Sequence, residues 1–141
     1  MTTICVRAGV LAGDGRETDD GDNDMVVGDH FKKVHRLKDG RLFGGAGSSE
    51  NIHRLMVAAD HHQAPPKLDD TTALLVDGKK VYIYEGHMWR SMTEPYYSIG
   101  TGRGYAMGAM DAGADAAKAT KIASKRDPYS GGKVTALRQW R

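Results

Sequence analysis

The first residue able to do chemistry is Thr2, directly behind Met1. A threonine hydroxyl inside a chain is a poor nucleophile. Removal of Met1, which a small following residue favours, would give Thr2 a free α-amine with an ordinary pKa of about 7.7–8.0. One residue would then carry both a nucleophile and its general base. On residue type alone the plainer reading of Thr2 is the start of a strand.

Other groups are weaker. Asp60-His61-His62, with His30 and His35 as extra ligands, would suggest a metal site, but adjacent histidines on a helix point about 100° apart, which suits a solvated helix end better. Gly100-Thr101-Gly102-Arg103-Gly104 resembles a phosphate cradle without the lysine or the spacing that nucleotide loops need. Cys5 falls inside a predicted strand with no adjacent histidine and reads as a packed thiol. The tail Lys133–Arg141, with Trp140 among basic residues, reads as a solvated terminus with one anchoring aromatic.

The elements that must position these residues alternate between two periods. Thr2–Arg7 and Val10–Asp14 read as strands joined by an Ala8-Gly9 turn. Residues 15–24, GRETDDGDND, have no apolar face and read as a surface loop. Lys33–Leu37 and Arg41–Phe43 flank Lys38-Asp39-Gly40 as a second hairpin. From Ser49 to about His62, Ile52, Leu55, Met56, Ala58 and Ala59 follow helical spacing, and Pro65-Pro66 is expected to end that helix. Strands follow at Thr72–Val76, Lys80–Tyr84, around Met88–Ser91 and at Tyr96–Ile99. Two Ala- and Met-rich helices, Tyr105–Ala112 and Ala114–Ser124, meet at Gly113 with Asp115 as a cap, and Val134–Leu137 is a last strand. Runs of strands followed by runs of helices predict α+β layers rather than a parallel sheet.

The 141 residues fit one domain, 1–141, with no internal repeat or linker. Charge is nearly balanced, 20 Lys+Arg against 18 Asp+Glu, so no basic field points to nucleic acid or an anionic membrane. A single cysteine suits a reducing compartment. Neither a secretory signal nor a bilayer-spanning apolar run is evident, so a cytoplasmic location is expected.

Several stretches resemble one family. The opening Thr2-Thr3-Ile4 is followed by Ala12-Gly13-Asp14-Gly15-Arg16 with Thr18, and then by Lys32-Lys33-Val34 with Arg36-Leu37. Gly44-Gly45-Ala46-Gly47 resembles a glycine turn, Ile99-Gly100-Thr101-Gly102 with Tyr105-Ala106 a glycine-serine-glycine segment, and Asp127-Pro128-Tyr129-Ser130 an aspartate and serine three apart. In this order they resemble the proteasome β-subunit and HslV-like family of N-terminal nucleophile hydrolases. Residues 2–47 and 96–131 carry the likeness, and 48–95 match only in general pattern.

That resemblance implies a four-layer αββα sandwich of two antiparallel sheets flanked by helices. It also implies roles. Thr2 would attack a carbonyl through Oγ. Lys33 would lower the hydroxyl pKa and stabilise developing negative charge, with Asp14 holding it charged and oriented. Gly44 would present its N–H to the oxyanion. Thr101, standing where the family usually has serine, would join Asp127 and Ser130 around the α-amine. The implied activity is a threonine-type peptidase or amide hydrolase, in a self-compartmentalised ring of copies, acting on peptide or unfolded protein without a cofactor. Likeness to HslV adds an ATPase unfoldase to the expected partners. The alternatives are a catalytically silent structural or assembly protein that retains Met1 on the same fold, and a small-molecule amidase.

Overall fold

The computed structural model describes residues 2–18 and 25–139. Met1, residues 19–24 of the acidic segment and the tail residues Trp140 and Arg141 lie outside the described residues.

Strand β1 (Thr3–Arg7) turns into β2 (Val10–Gly13) through Ala8 and Gly9. Both have positive φ, 53° and 78°, the left-handed pair that a tight two-residue hairpin needs. The acidic segment departs from the expected loop. Its Glu17–Thr18 is a two-residue strand, β3, paired with β4 (Val26–Gly28) in a small antiparallel ribbon. Next come β5 (Val34–Arg36), β6 (Leu42–Ala46) and helix α1 (Ser49–Asp60), whose first turn is capped by Ser48 Oγ accepting from the Asn51 N–H at 3.2 Å.

Helix α1 stops five residues before Pro65. His62 takes a left-handed φ of 53°, its N–H donates to Ala59 O and the Gln63 N–H donates to Ala58 O. That pair of bonds is a Schellman stop, which satisfies the last carbonyls without proline. His62 Nε2 also lies 3.3 Å from Asp39 Oδ2. Strands β7 (Thr72–Asp77), β8 (Lys80–Glu85), β9 (Trp89–Ser91) and β10 (Tyr96–Gly100) precede α2 (Arg103–Asp111), α3 (Ala116–Arg126) and β11 (Thr135–Arg138). Asp115 caps α3 as expected, accepting from the Lys118 N–H at 2.8 Å.

Two antiparallel sheets result, β10-β1-β2-β11 and β5-β6-β7-β8-β9. Period-two alternation divides their side chains among three apolar layers. Ile4, Val6 and Leu11 of the first sheet meet Val34, Leu42, Leu74, Val76 and Ile83 of the second. On the far face of the second sheet, Phe43, Ala73, Leu75 and Tyr84 pack against Leu55 and Ala59 of α1. On the far face of the first, Cys5 and Ala12 pack against Ala106 and Met110 of α2 and Ala116, Ala119 and Ala123 of α3. The order is therefore helix, sheet, sheet, helix pair, an αββα sandwich. Alanines on α2 and α3 let these helices lie close to the sheet.

Leu74 is fully buried between the sheets. Leu74→Ala is expected to lower the unfolding free energy by about 2–5 kcal/mol in a urea titration. A loss below about 1 kcal/mol would contradict its place in that layer.

Candidate active site

Thr2 stands one residue before β1, where the first sheet opens toward the second. Its backbone meets the end of β10, because Thr3 pairs with Gly100 and the Gly102 N–H donates to Thr2 O at 3.3 Å. Gly100 has φ +96°, and a Cβ there would fall 2.1 Å from Thr2 O. Only glycine permits this approach. It brings Thr101 Oγ1 to 3.2 Å from Thr2 N, which donates to it.

Behind Thr101 lies a buried polar group. Thr101 Oγ1 and Ser130 Oγ each donate to Asp127 Oδ2 at 2.6 Å. Asp127 is the C-cap of α3 and precedes Pro128; its extended backbone, ψ 116°, is what a residue before proline favours. The chain then turns sharply, with the Ser130 N–H on Asp127 O at 3.2 Å. Thr3 Oγ1 completes the group at 2.7 Å from Ser130 Oγ.

A second group centres on Asp14, whose side chain is wholly buried. Lys33 Nζ donates to both of its oxygens at 3.0 Å. The Thr3 N–H donates to Oδ1 at 2.9 Å, and the Gly131 N–H to Oδ2 at 3.0 Å. Burial pushes the Lys33 pKa below the ordinary lysine value, and the Asp14 charge and hydrogen bonds work against that shift. Two contacts to one carboxylate favour the ammonium. The groups are joined twice, through Thr3 and through Ser130-Gly131.

Thr2 and Lys33 open on a cavity of about 630 Å³. It is lined by Gly45 near the end of β6 and Gly47 just beyond that strand, by Ile52, His53 and Met56 of α1, and by Arg16, Val27, Phe31 and His35. Arg16 Nε pairs with Asp29 Oδ1 at 2.8 Å, which holds the Asp29 carboxyl below its ordinary pKa. Burial, and the charge of Lys32, push the His35 imidazole down.

The structure thus brings Thr2, Asp14, Lys33, Thr101, Asp127 and Ser130 together. Gly44 is placed elsewhere. It sits opposite Val34 of β5 and Leu74 of β7, so its N–H belongs to the sheet whichever way it points. A Cβ at Gly44 would press on Ile4 and Val34 in the inter-sheet layer, both 3.1 Å away. The β5 ladder ends at that pair, so from Gly45 onward the backbone of β6 has no strand partner on that side among the described residues. Gly45, not Gly44, lines the cavity. The two-residue phase of Leu42, Gly44 and Ala46 could have signalled this. The hydroxyl of Thr3 also enters this polar group, and nothing in two adjacent threonines separates their roles.

No family model matches the chain, and none of the curated proteins matches it. Solved structures do. Eukaryotic HslV from Trypanosoma brucei superposes with a TM-score of 0.70 at 18% identity, over 97% of this chain and 99% of that one. BPH from Thiobacillus denitrificans superposes at 0.66 and 19% identity, over 96% and 95%. Its complex with epoxomicin gives 0.66 at 18% identity, over 96% of each chain. At this identity the likeness establishes the fold, the αββα sandwich that this chain shares with HslV and BPH.

Asp14→Ala would strip the buried Lys33 ammonium of its carboxylate and should cost about 3–5 kcal/mol of stability at neutral pH. Folded Lys33 in that variant loses its proton below the ordinary value of 10.5, so between those two points the unfolded chain binds more protons. Stability must then rise with pH. Urea titrations at pH 7 and 9.5 should show the deficit shrinking, and a deficit that widens would contradict the assignment.

Proposed function

We propose that the chain is a threonine-type peptidase of the proteasome β-subunit and HslV-like family, active once Met1 is removed. The observation that carries this reading is the convergence on one cavity of Thr2, with its backbone nitrogen held by Thr101, and the Lys33 ammonium clamped by Asp14.

In the processed chain the Thr2 α-amine takes the Oγ proton through a water as Oγ attacks the scissile carbonyl. The Lys33 ammonium lowers the cost of the developing alkoxide. Oxyanion donation falls to the Gly45 N–H, where glycine leaves room for substrate beside Ile52. The tetrahedral adduct collapses as the ammonium returns its proton to the leaving amine, giving an ester on Oγ and a free peptide amine. Water, activated by the same amine, attacks the ester and releases the acid. The amine then returns the water's proton to the departing Oγ, which regenerates Thr2, and the reading calls for no cofactor.

The substrate is a peptide or an unfolded protein. The family reading extends to a homo-oligomeric ring that encloses its sites, to an ATPase unfoldase that feeds it, and to a cytoplasmic location. Among the described residues no helix is long and apolar enough to cross a membrane.

Intact mass of the protein from its natural source should lack one methionine; quantitative retention of Met1 turns the reading to the catalytically silent alternative. The processed chain should gain one probe mass with an electrophilic acylating probe, and epoxomicin, held by BPH, is a second ligand to try. Thr2→Ala should gain none. Lys33→Ala should label at least roughly 100-fold more slowly while remaining folded. Equal labelling of wild type and Thr2→Ala would reject Thr2 as the nucleophile.

A further inference from the structure

We propose that Thr3 is a positioning residue for the Thr2 amine, acting through Ser130 and Asp127; this rests on the reading of Thr2 as the nucleophile. The side chain of Thr3 is fully buried and turned away from the cavity. Its hydroxyl lies 2.7 Å from Ser130 Oγ. The place it occupies is kept open by Gly102, where a Cβ would fall 2.0 Å from Thr3 Oγ1.

Distances alone do not say which hydroxyl donates in the Thr3–Ser130 bond, but the rest of the group decides it. Asp127 as a carboxylate can only accept. Thr101 and Ser130 each own one hydroxyl proton, and each sits 2.6 Å from Asp127 Oδ2. Both protons are therefore committed to that oxygen. Ser130 Oγ can then only accept from Thr3, and Thr101 Oγ1 can only accept from Thr2 N. The contact between Thr101 Oγ1 and Thr2 O, at 3.4 Å, would need the proton already given to Asp127.

Hydroxyls in a chain polarise one another, so one that accepts is a better donor. Thr3 strengthens the Ser130 bond to Asp127 Oδ2 and spreads the charge of that oxygen. Without Thr3 the oxygen pulls harder on the Thr101 proton. Thr101 Oγ1 becomes more negative and a better acceptor, and it stabilises the ammonium form of Thr2. The sign follows: loss of the Thr3 hydroxyl raises the amine pKa and reduces the free base at a given pH.

The test uses the chain lacking Met1, with the ¹⁵N-labelled Thr2 amine titrated by NMR and the acid limb of kcat/KM measured on a peptide substrate. Thr3→Val should move both midpoints upward by roughly 0.5 pH unit, the loss of one cooperative link. Thr3→Ser, which keeps the hydroxyl, should titrate with wild type. Ser130→Ala should shift in the same direction as Thr3→Val, and the double variant should shift no further. An unmoved midpoint in Thr3→Val, or an equal shift in Thr3→Ser, overturns the proposal. If Thr3→Val does not fold, an unmoved midpoint in Ser130→Ala overturns it instead. The amine titration does not depend on turnover. A chain that titrates as expected yet never reacts with the acylating probe would reject the nucleophile and leave the positioning role supported.

Discussion

Placing Lys33 and Asp14 where almost no water reaches them removes hydration from two charges at once, and much of the site's geometry serves to offset that. A buried pair is stabilising only when its remaining lone pairs and protons are also satisfied. Asp14 meets this condition with backbone N–H groups from Thr3, Arg16 and Gly131 in addition to Lys33. Those donors come from β1, from the loop after β2 and from the loop after α3. The carboxylate can be satisfied only if all three segments arrive together, so one charge ties the sheet that holds Thr2 to the loop that holds Ser130.

The strand pleat supplies the second constraint. On β1 the even positions Ile4 and Val6 enter the inter-sheet layer, while Cys5 enters the layer under α2 and α3. Continued backward, the same alternation sends Thr2 toward the cavity and Thr3 toward Ser130. Adjacent residues of one type thus serve opposite faces. A register slip of one residue would exchange them and also turn Ile4 and Val6 out of the core, so apolar burial protects the placement of the polar pair.

Much of this was legible in the residues. Ala8-Gly9 announced its turn, Asp115 its cap, and the change of period after Ile99 the helical pair. The spacing of Asp14, Lys33, Thr101, Asp127 and Ser130 carried the resemblance, and the structure gathers them. The features that the residues do not announce depend on tertiary context. Glu17–Thr18 forms a strand because Val26–Gly28 is there to pair with it, not through its own propensity. The stop of α1 uses a left-handed conformation at His62 that is uncommon for any residue but glycine, and the nearby Pro65 plays no part in it. Gly44 and Gly45 differ only in strand phase and in where the β5 ladder ends, which no local glycine signal conveys.

On the proposed reading, with Met1 removed and the Thr2 amine acting as the base, the opposing charges around Thr2 explain why a hydroxyl stands between that amine and Asp127. A base working near neutral pH must stay largely unprotonated. A carboxylate in direct contact would stabilise the ammonium and lift its pKa, whereas the Lys33 ammonium favours the neutral amine. Thr101 relays the orienting effect of Asp127 while presenting an uncharged oxygen, so the nitrogen is aimed without being held in its protonated form. The same oxygen of Asp127 is shared with Ser130, which draws off part of its charge. Orientation and basicity, which one carboxylate would couple, are separated by one hydroxyl.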